Sequence, residues 1–379
     1  MSVFHQVGHD SINLVRETEL SGFGGMVCSP LNYREAQVKE QIALLPNEFS
    51  SILDPQLYFP RSRRGQLQNW SYFPCDFDSA DHTNLEWWKY LSKRVVDSGI
   101  EIKCTHACSP LAVPNKYTMS YYDFAVEIGN YFCEQSLLNG VIPFQTAVID
   151  INTIGDVNEA EIIGSILSKT KCEAVYIVVK SEIEPRREYS DVTAITGVMK
   201  LIRLLVNSGI KVFMPFCSSE FVLWKYAGAS AFASGKFFNL RRFTSSRFQE
   251  PTSGGGQLPY WFERQLLSYV REGDLTRLVS RNLISSNNNP YADTILKQLR
   301  TSPGSPWLSL SWKKYLFDFY ALEQELNNNK AIETLLLTAE RNWMELEDDG
   351  FLMEETRNNG TWIRQWRIAM NEYNRSLNI

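Results

Sequence analysis

From the N-terminus to about residue 245, short runs rich in β-branched and aromatic residues alternate with segments of helical period, and no other feature constrains the fold as strongly. Alternation of this kind marks a parallel sheet whose strands are joined by crossover helices. The candidate strands are 3–7, 25–29, 57–60, 100–108, 146–152, 174–180, 211–217 and 231–237. The candidate helices between them are 33–45, 84–98, 120–138, 159–170, 191–208 and 219–227.

Two junctions repeat: Asp97-Ser98-Gly99-Ile100-Glu101-Ile102 and Asn207-Ser208-Gly209-Ile210-Lys211-Val212. In each the pattern predicts a helix ending at glycine, which accepts a left-handed cap, followed at once by an apolar strand. Eight such units in about 250 residues fit a (β/α)8 barrel of TIM type. The competitor is a doubly wound parallel sheet, which usually carries a glycine fingerprint after its first strand. Here that strand leads into Gly8-His9-Asp10-Ser11, which does not match.

Past residue 250 the texture changes. A loop containing Gly254, Gly255 and Gly256 precedes helical patterns at 260–272, 274–283, 291–300, 312–326, 331–346 and 362–373. The expected layout is a barrel over 1–250 and an all-helical extension over 251–379 packed on it. Five of the ten tryptophans, Trp307, Trp312, Trp343, Trp362 and Trp366, fall in that extension. They are expected mostly in its core, with a protein-partner surface or a base-stacking platform as the alternative.

Composition narrows the class. With 44% hydrophobic and 21% charged residues the chain has a globular make-up, which excludes collagen and disorder. A net charge of -5 gives no overall basic footprint for nucleic acid, so that partner needs a local patch. The seven cysteines are odd in number and scattered, as reduced core thiols are. There is no apolar run of bilayer length and no leader-like N-terminus, so a cytoplasmic protein without a membrane partner is expected.

In a barrel the reacting groups sit just past the carboxyl ends of the strands. Three of the four histidines, His5, His9 and His106, map there, where imidazole can act as acid, base or ligand. Asp150 and Lys180 end two adjacent apolar runs and complete the candidate catalytic set. Candidate substrate contacts are Asp10, Asn32, Arg61, Asn152, Glu182, Ser234, Lys236, Arg241 and Arg242.

The cofactor is unknown from sequence. A divalent metal held by His5, His9, His106 and Asp150 is one option, but no zinc signature is present. Alternation puts Cys104, His106 and Cys108 on one strand face, too widely spread for one ion. Ser234-Gly235-Lys236, then Arg241 and Arg242, then the triglycine loop suggest phosphate binding after strand eight. An earlier stretch, 61–73, mixes Arg61, Arg63 and Arg64 with Trp70, Tyr72 and Phe73, which suits nucleotide or single-strand contacts.

The reading is therefore a barrel enzyme, hydrolase or transferase, acting by acid/base chemistry on a phosphate-bearing substrate such as a nucleotide or nucleic-acid component. The alternative is a non-catalytic barrel serving as a binding subunit of a multiprotein or nucleic-acid complex.

Overall fold

A computed structural model describes residues 2–250, 257–281, 283–284, 288–302, 304, 306–355 and 358–377. Eight strands run in chain order around a closed, all-parallel barrel: β1 (Val3–Gln6), β2 (Gly25–Cys28), β3 (Ser50–Leu53), β4 (His106–Cys108), β5 (Ile142–Asp150), β6 (Ala174–Lys180), β7 (Lys211–Met214) and β8 (Ala231–Ser234). β1 closes the ring on β8, with Phe4 opposite Ala233 and His5 opposite Ser234. The crossovers are α1 (Glu35–Ile42), α2 (Leu85–Glu101), α3 (Met119–Leu138), α4 (Glu159–Leu167), α5 (Val192–Asn207) and α6 (Phe221–Ala227). Only β1 and β2 are joined without an α-helix, by two short 3₁₀ turns at Leu14–Arg16 and Thr18–Leu20.

The local reasons are visible in the residues. β6 reads AVYIVVK and is apolar along its length because the barrel buries one of its faces and the helices the other. Asn84, Thr118 and Asp191 cap α2, α3 and α5 by accepting the free backbone N–H three residues on. Inside the barrel, Phe4, Phe144 and Tyr176 each pack on Phe213, with ring centroids 5.0, 5.8 and 5.3 Å apart. These rings fix which residues face the axis, so that alternation also points Gln6, Asp150 and Lys180 inward.

Three expectations need correction. The third strand is Ser50–Leu53, not 57–60. Its two serines weaken the strand signal, whereas Leu57 and Tyr58 are apolar because they lie buried over the end of the barrel. α2 runs through Gly99 to Glu101, and β4 begins only at His106. Gly99 is an inward-facing helical glycine, where an added Cβ would lie 3.1 Å from Cys104 Sγ, while Lys103 takes the left-handed turn at φ 59°. Gly209 does adopt the expected conformation, at φ 79°.

The extension is not all helical. Where a helix over 260–272 was expected, β9 (Trp261–Glu263) and β10 (Ser268–Val270) form an antiparallel hairpin, turning at Leu267 with φ 48°. Its aromatic and β-branched residues are buried on both faces, a demand that a one-faced helix does not meet. Then follow α7 (Glu272–Ser280), α8 (Ala292–Thr301), α9 (Leu308–Glu325), α10 (Asn329–Asp348) and α11 (Thr361–Leu377). The triglycine loop lies outside the described residues.

The extension grips the barrel with its aromatics. Phe319 of α9 packs on Phe221 of α6 at 4.6 Å, and Trp366 of α11 donates its indole N–H to the Tyr189 carbonyl at 2.7 Å. Trp307, Trp343 and Trp362 are buried as well, and half-buried Trp312 lies under Lys236. Four of the five tryptophans of the extension are thus core residues. No described helix is long and apolar enough to cross a membrane.

Candidate active site

The chain leaving β8 decides how much of the barrel mouth stays open. Instead of turning straight down it crosses the carboxyl end to β6, where Phe243 bridges Lys180 and its carbonyl accepts the Ser181 N–H at 3.0 Å. The Phe243 ring packs on Tyr58, Phe216 and Phe248, with centroids 4.9, 5.3 and 5.8 Å away. Beneath this cover lies a buried polar layer. Asp54 accepts hydrogen bonds from the Gln56 N–H (3.0 Å) and from the hydroxyls of Tyr58 (3.1 Å) and Tyr176 (3.3 Å). Arg247, also buried, donates to Ser29 Oγ at 3.3 Å and to the Asn239 carbonyl at 3.4 Å. Burial pushes the Asp54 carboxyl up to about 6 and the Arg247 guanidinium down to about 10.

The cations expected to grip phosphate belong to this closed half. Lys236 is buried, donates to the Asp10 carbonyl at 2.9 Å and lies 4.3 Å from the Trp312 ring centroid. Arg241 donates to the carbonyls of Gly235 (2.8 Å) and Lys236 (2.9 Å) and stacks 3.4 Å from the Tyr315 centroid. Arg242 stacks on Tyr189 between the carboxyls of Glu188 and Glu220. Ser234 shares hydrogen bonds of 2.6 Å with the Cys217 carbonyl and the Tyr315 hydroxyl. The proposed phosphate grip is corrected on this point: all three cations are committed to protein groups, because the chain after β8 folds inward.

The histidines do not converge. His5 is fully buried with its Nε2 3.1 Å from both the carbonyl and the hydroxyl of Ser11, and burial lowers it to about 4, so it is neutral. His9 and Asp10 are exposed and pair with each other at 3.0 Å. His106 opens β4, at the amino end of the barrel, with its ring 5.1 Å from Phe144 and its Nδ1 2.8 Å from the Thr105 hydroxyl. Among the described residues no three His, Cys, Asp or Glu side chains come together to hold a metal ion. Asn32 is half-buried and accepts from Ser29 at 2.8 Å, and Arg61 is exposed. In the stretch 61–73, Trp70 and Tyr72 turn inward and donate to the carbonyls of Tyr33 and Pro55 at 2.8 and 3.1 Å.

What remains open is the tip of β5 and β6. Asp150 and Lys180 are register partners and both point toward the axis. Asp150 Oδ1 accepts the backbone N–H and the side-chain amide of Asn152, each at 2.9 Å, which fixes the carboxylate and leaves Oδ2 without a bond from Asn152. Lys180 reaches Glu182 at 3.1 Å, and Glu182 also accepts from Ser245 at 2.9 Å. Tyr117, from the loop after β4, completes the group. Its hydroxyl is buried without a hydrogen-bond partner, and burial, then the charges of Asp150 and Glu182, push its pKa up. A carboxylate, an ammonium and a protonated phenol are thus grouped at the carboxyl end of β5 and β6, and such groups can accept a proton, stabilise an oxyanion and donate a hydrogen bond.

Of the sequence candidates, Asp150, Asn152, Lys180 and Glu182 are therefore brought together. Sequence reasoning missed Asp54, Tyr117, Glu188 and Glu220. Asp54 carried a signal, since it ends Ser51-Ile52-Leu53 as Asp150 ends its own apolar run. The others lie in loops or at a helix start with no pattern around them.

No protein-family model matches the chain, and no curated protein matches it. Among solved structures, it is similar to the catalytic domain of the Bacillus sp. JAMB-750 GH26 endo-β-1,4-mannanase, at 9% identity and a TM-score of 0.38 over 84% of this chain and 90% of that one. A likeness at that level is silent on chemistry.

Proposed function

We propose that this chain is a (β/α)8 enzyme, a hydrolase or transferase working by acid/base chemistry at the open tip of β5 and β6. The observation that carries the reading is the side-by-side pair Asp150 and Lys180, both pointing to the axis at the carboxyl end, with the unpartnered Tyr117 hydroxyl beside them. Asp150 is the base, Lys180 stabilises developing negative charge on oxygen, and Tyr117 donates a hydrogen bond to the reacting group. Asn152 and Glu182 position the first two.

A phosphate-bearing substrate is the finer part of the proposal. Its charge would rest on Lys180, because Lys236, Arg241 and Arg242 are turned inward. Purified protein should be screened against chromogenic phosphomonoesters, phosphodiesters, carboxylic esters and glycosides, with Lys180→Met alongside. The expected result is turnover on a phosphate ester that falls about 100-fold or more in the variant. Turnover confined to uncharged substrates would remove the phosphate reading, and undiminished turnover by Lys180→Met would contradict the site itself.

A further inference from the structure

A cavity of about 440 Å³ is bounded by the start of α2, the start of α3 and the loop that joins β4 to α3. Three pieces of chain build it. Trp88 of α2 donates its indole N–H to the Asp81 carbonyl at 2.8 Å, which pins the short 3₁₀ turn Ala80–Thr83, with His82 in it, beside the helix. On α3, Ser120, Tyr121 and Phe124 fall on one helical face. The Tyr121 hydroxyl donates to the Ala112 carbonyl at 3.2 Å and so holds the loop against that face.

The walls decide what fits. Trp88, Leu111, Ala112, Pro114, Tyr121 and Phe124 make them largely apolar and aromatic. The lining residues include no carboxylate to pair with a cation, and their one ammonium, Lys116, is exposed. His82 is half-buried in the wall, its ring edge-on to Phe77 with centroids 5.0 Å apart. Its ring nitrogens have no hydrogen-bond partner among the described residues. Burial, and after it the charge of Arg61, lower its pKa, so the imidazole is uncharged at neutral pH and can give or take a hydrogen bond.

These features select among ligands. A charged group would lose its hydration on entering and meet no buried counter-ion. An alkyl chain would leave the imidazole unpaired and forgo the edge-to-face contacts that Trp88, Tyr121 and Phe124 offer to a ring. Size adds a bound: an apolar cavity of about 150 Å³ takes one benzene ring, so this one has room for two or three fused rings.

We propose that this pocket binds a small uncharged aromatic molecule of two or three fused rings, with His82 as its hydrogen-bond partner. The Tyr121 ring of the wall also packs edge-on against Tyr117, with centroids 5.8 Å apart, so the pocket shares a loop with the Asp150–Lys180 tip. Binding here does not depend on the reading given to that tip.

The test is titration of the full chain with 2-naphthol at pH 7, by calorimetry and by NMR, with 2-naphthoate and 2-naphthylmethylamine as charged analogues. The expected result is saturable binding of one 2-naphthol, at least tenfold tighter than either ion. Ser120 is exposed at the rim, so Ser120→Trp should fold, block the pocket and weaken binding at least tenfold. His82→Phe keeps a ring, removes the nitrogens and should weaken binding by about fivefold. The Trp88 indole resonance, assigned through Trp88→Phe, should shift in the wild type, and this readout stands if a variant does not fold. Absence of saturable binding, equal affinity for either ion, an unmoved Trp88 resonance or unchanged affinity in Ser120→Trp or His82→Phe would each overturn the proposal.

Discussion

The two sides of the barrel mouth carry similar residues and use them in opposite ways. Around β8, Lys236, Arg241 and Arg247 are buried and each holds carbonyl or hydroxyl oxygens of the chain itself. At β5 and β6, Asp150 and Lys180 keep an outlet to solvent, and a phenol beside them lacks a partner. A polar residue at the carboxyl end of a barrel strand thus has two available roles, and its sequence position does not choose between them. The choice is made by whichever loop folds over it, here the one from β8 that crosses to β6.

The largest effect that can break this contrast concerns Arg241. If its role is to lock the turn after β8, Arg241→Ala leaves two buried carbonyls without donors and removes a stacked ring partner, costing on the order of 3 kcal/mol or more of stability. Chemical denaturation checks this, and a loss within about 0.5 kcal/mol, the range of ordinary surface changes, would return Arg241 to the list of ligand-binding groups.

A second contrast lies within the closed half itself. His5 is lowered by burial to about 4, so the unfolded chain binds more protons between about pH 4 and 6.5, and the stability from neutral His5 is lost as pH falls through that window. Asp54 is raised by burial to about 6, so the folded chain holds more protons between about pH 4 and 6, and stability falls as pH rises. The two slopes oppose each other. Relative to wild type, His5→Gln should lose stability with rising pH by about 1.4 kcal/mol per unit, and Asp54→Asn should change by a similar amount in the other direction. Urea midpoints between pH 4 and 6 measure both, and profiles parallel to wild type would show that neither group is as closed off as described.

The smallest effect sharpens the boundary. His9 and Asp10 sit outside both halves as an exposed pair, so His9→Ala should alter stability by less than about 0.5 kcal/mol. Its turnover should match wild type in the same assay used for Lys180→Met. A large loss of turnover would bring His9 back to the site.

The barrel was legible because strands such as Ala174–Lys180 are buried on both faces and can be written only with apolar residues. The third strand was not, since Ser50–Leu53 is short and polar beside the apolar cover residues Leu57 and Tyr58. His106 was misplaced for a related reason. The expected strand began at Ile100, but α2 continues through Gly99, which moves His106 from the end of β4 to its beginning. Asp150 and Lys180 could be found because each ends an unbroken apolar run, and in a parallel barrel that is the rim. Tyr117, Glu188 and Glu220 could not, because what distinguishes them is the partner that each lacks or shares, a property of packing with no trace in spacing.

The central claim is that the β5–β6 tip is the place of chemistry, and Asp150→Asn tests it most directly. The substitution keeps an oxygen for the Asn152 amides and removes the carboxylate charge. Turnover and thermal midpoint are measured on the same preparation. The account predicts turnover lower by about 100-fold or more with stability within about 1 kcal/mol of wild type. Wild-type turnover in a folded Asp150→Asn protein would contradict it.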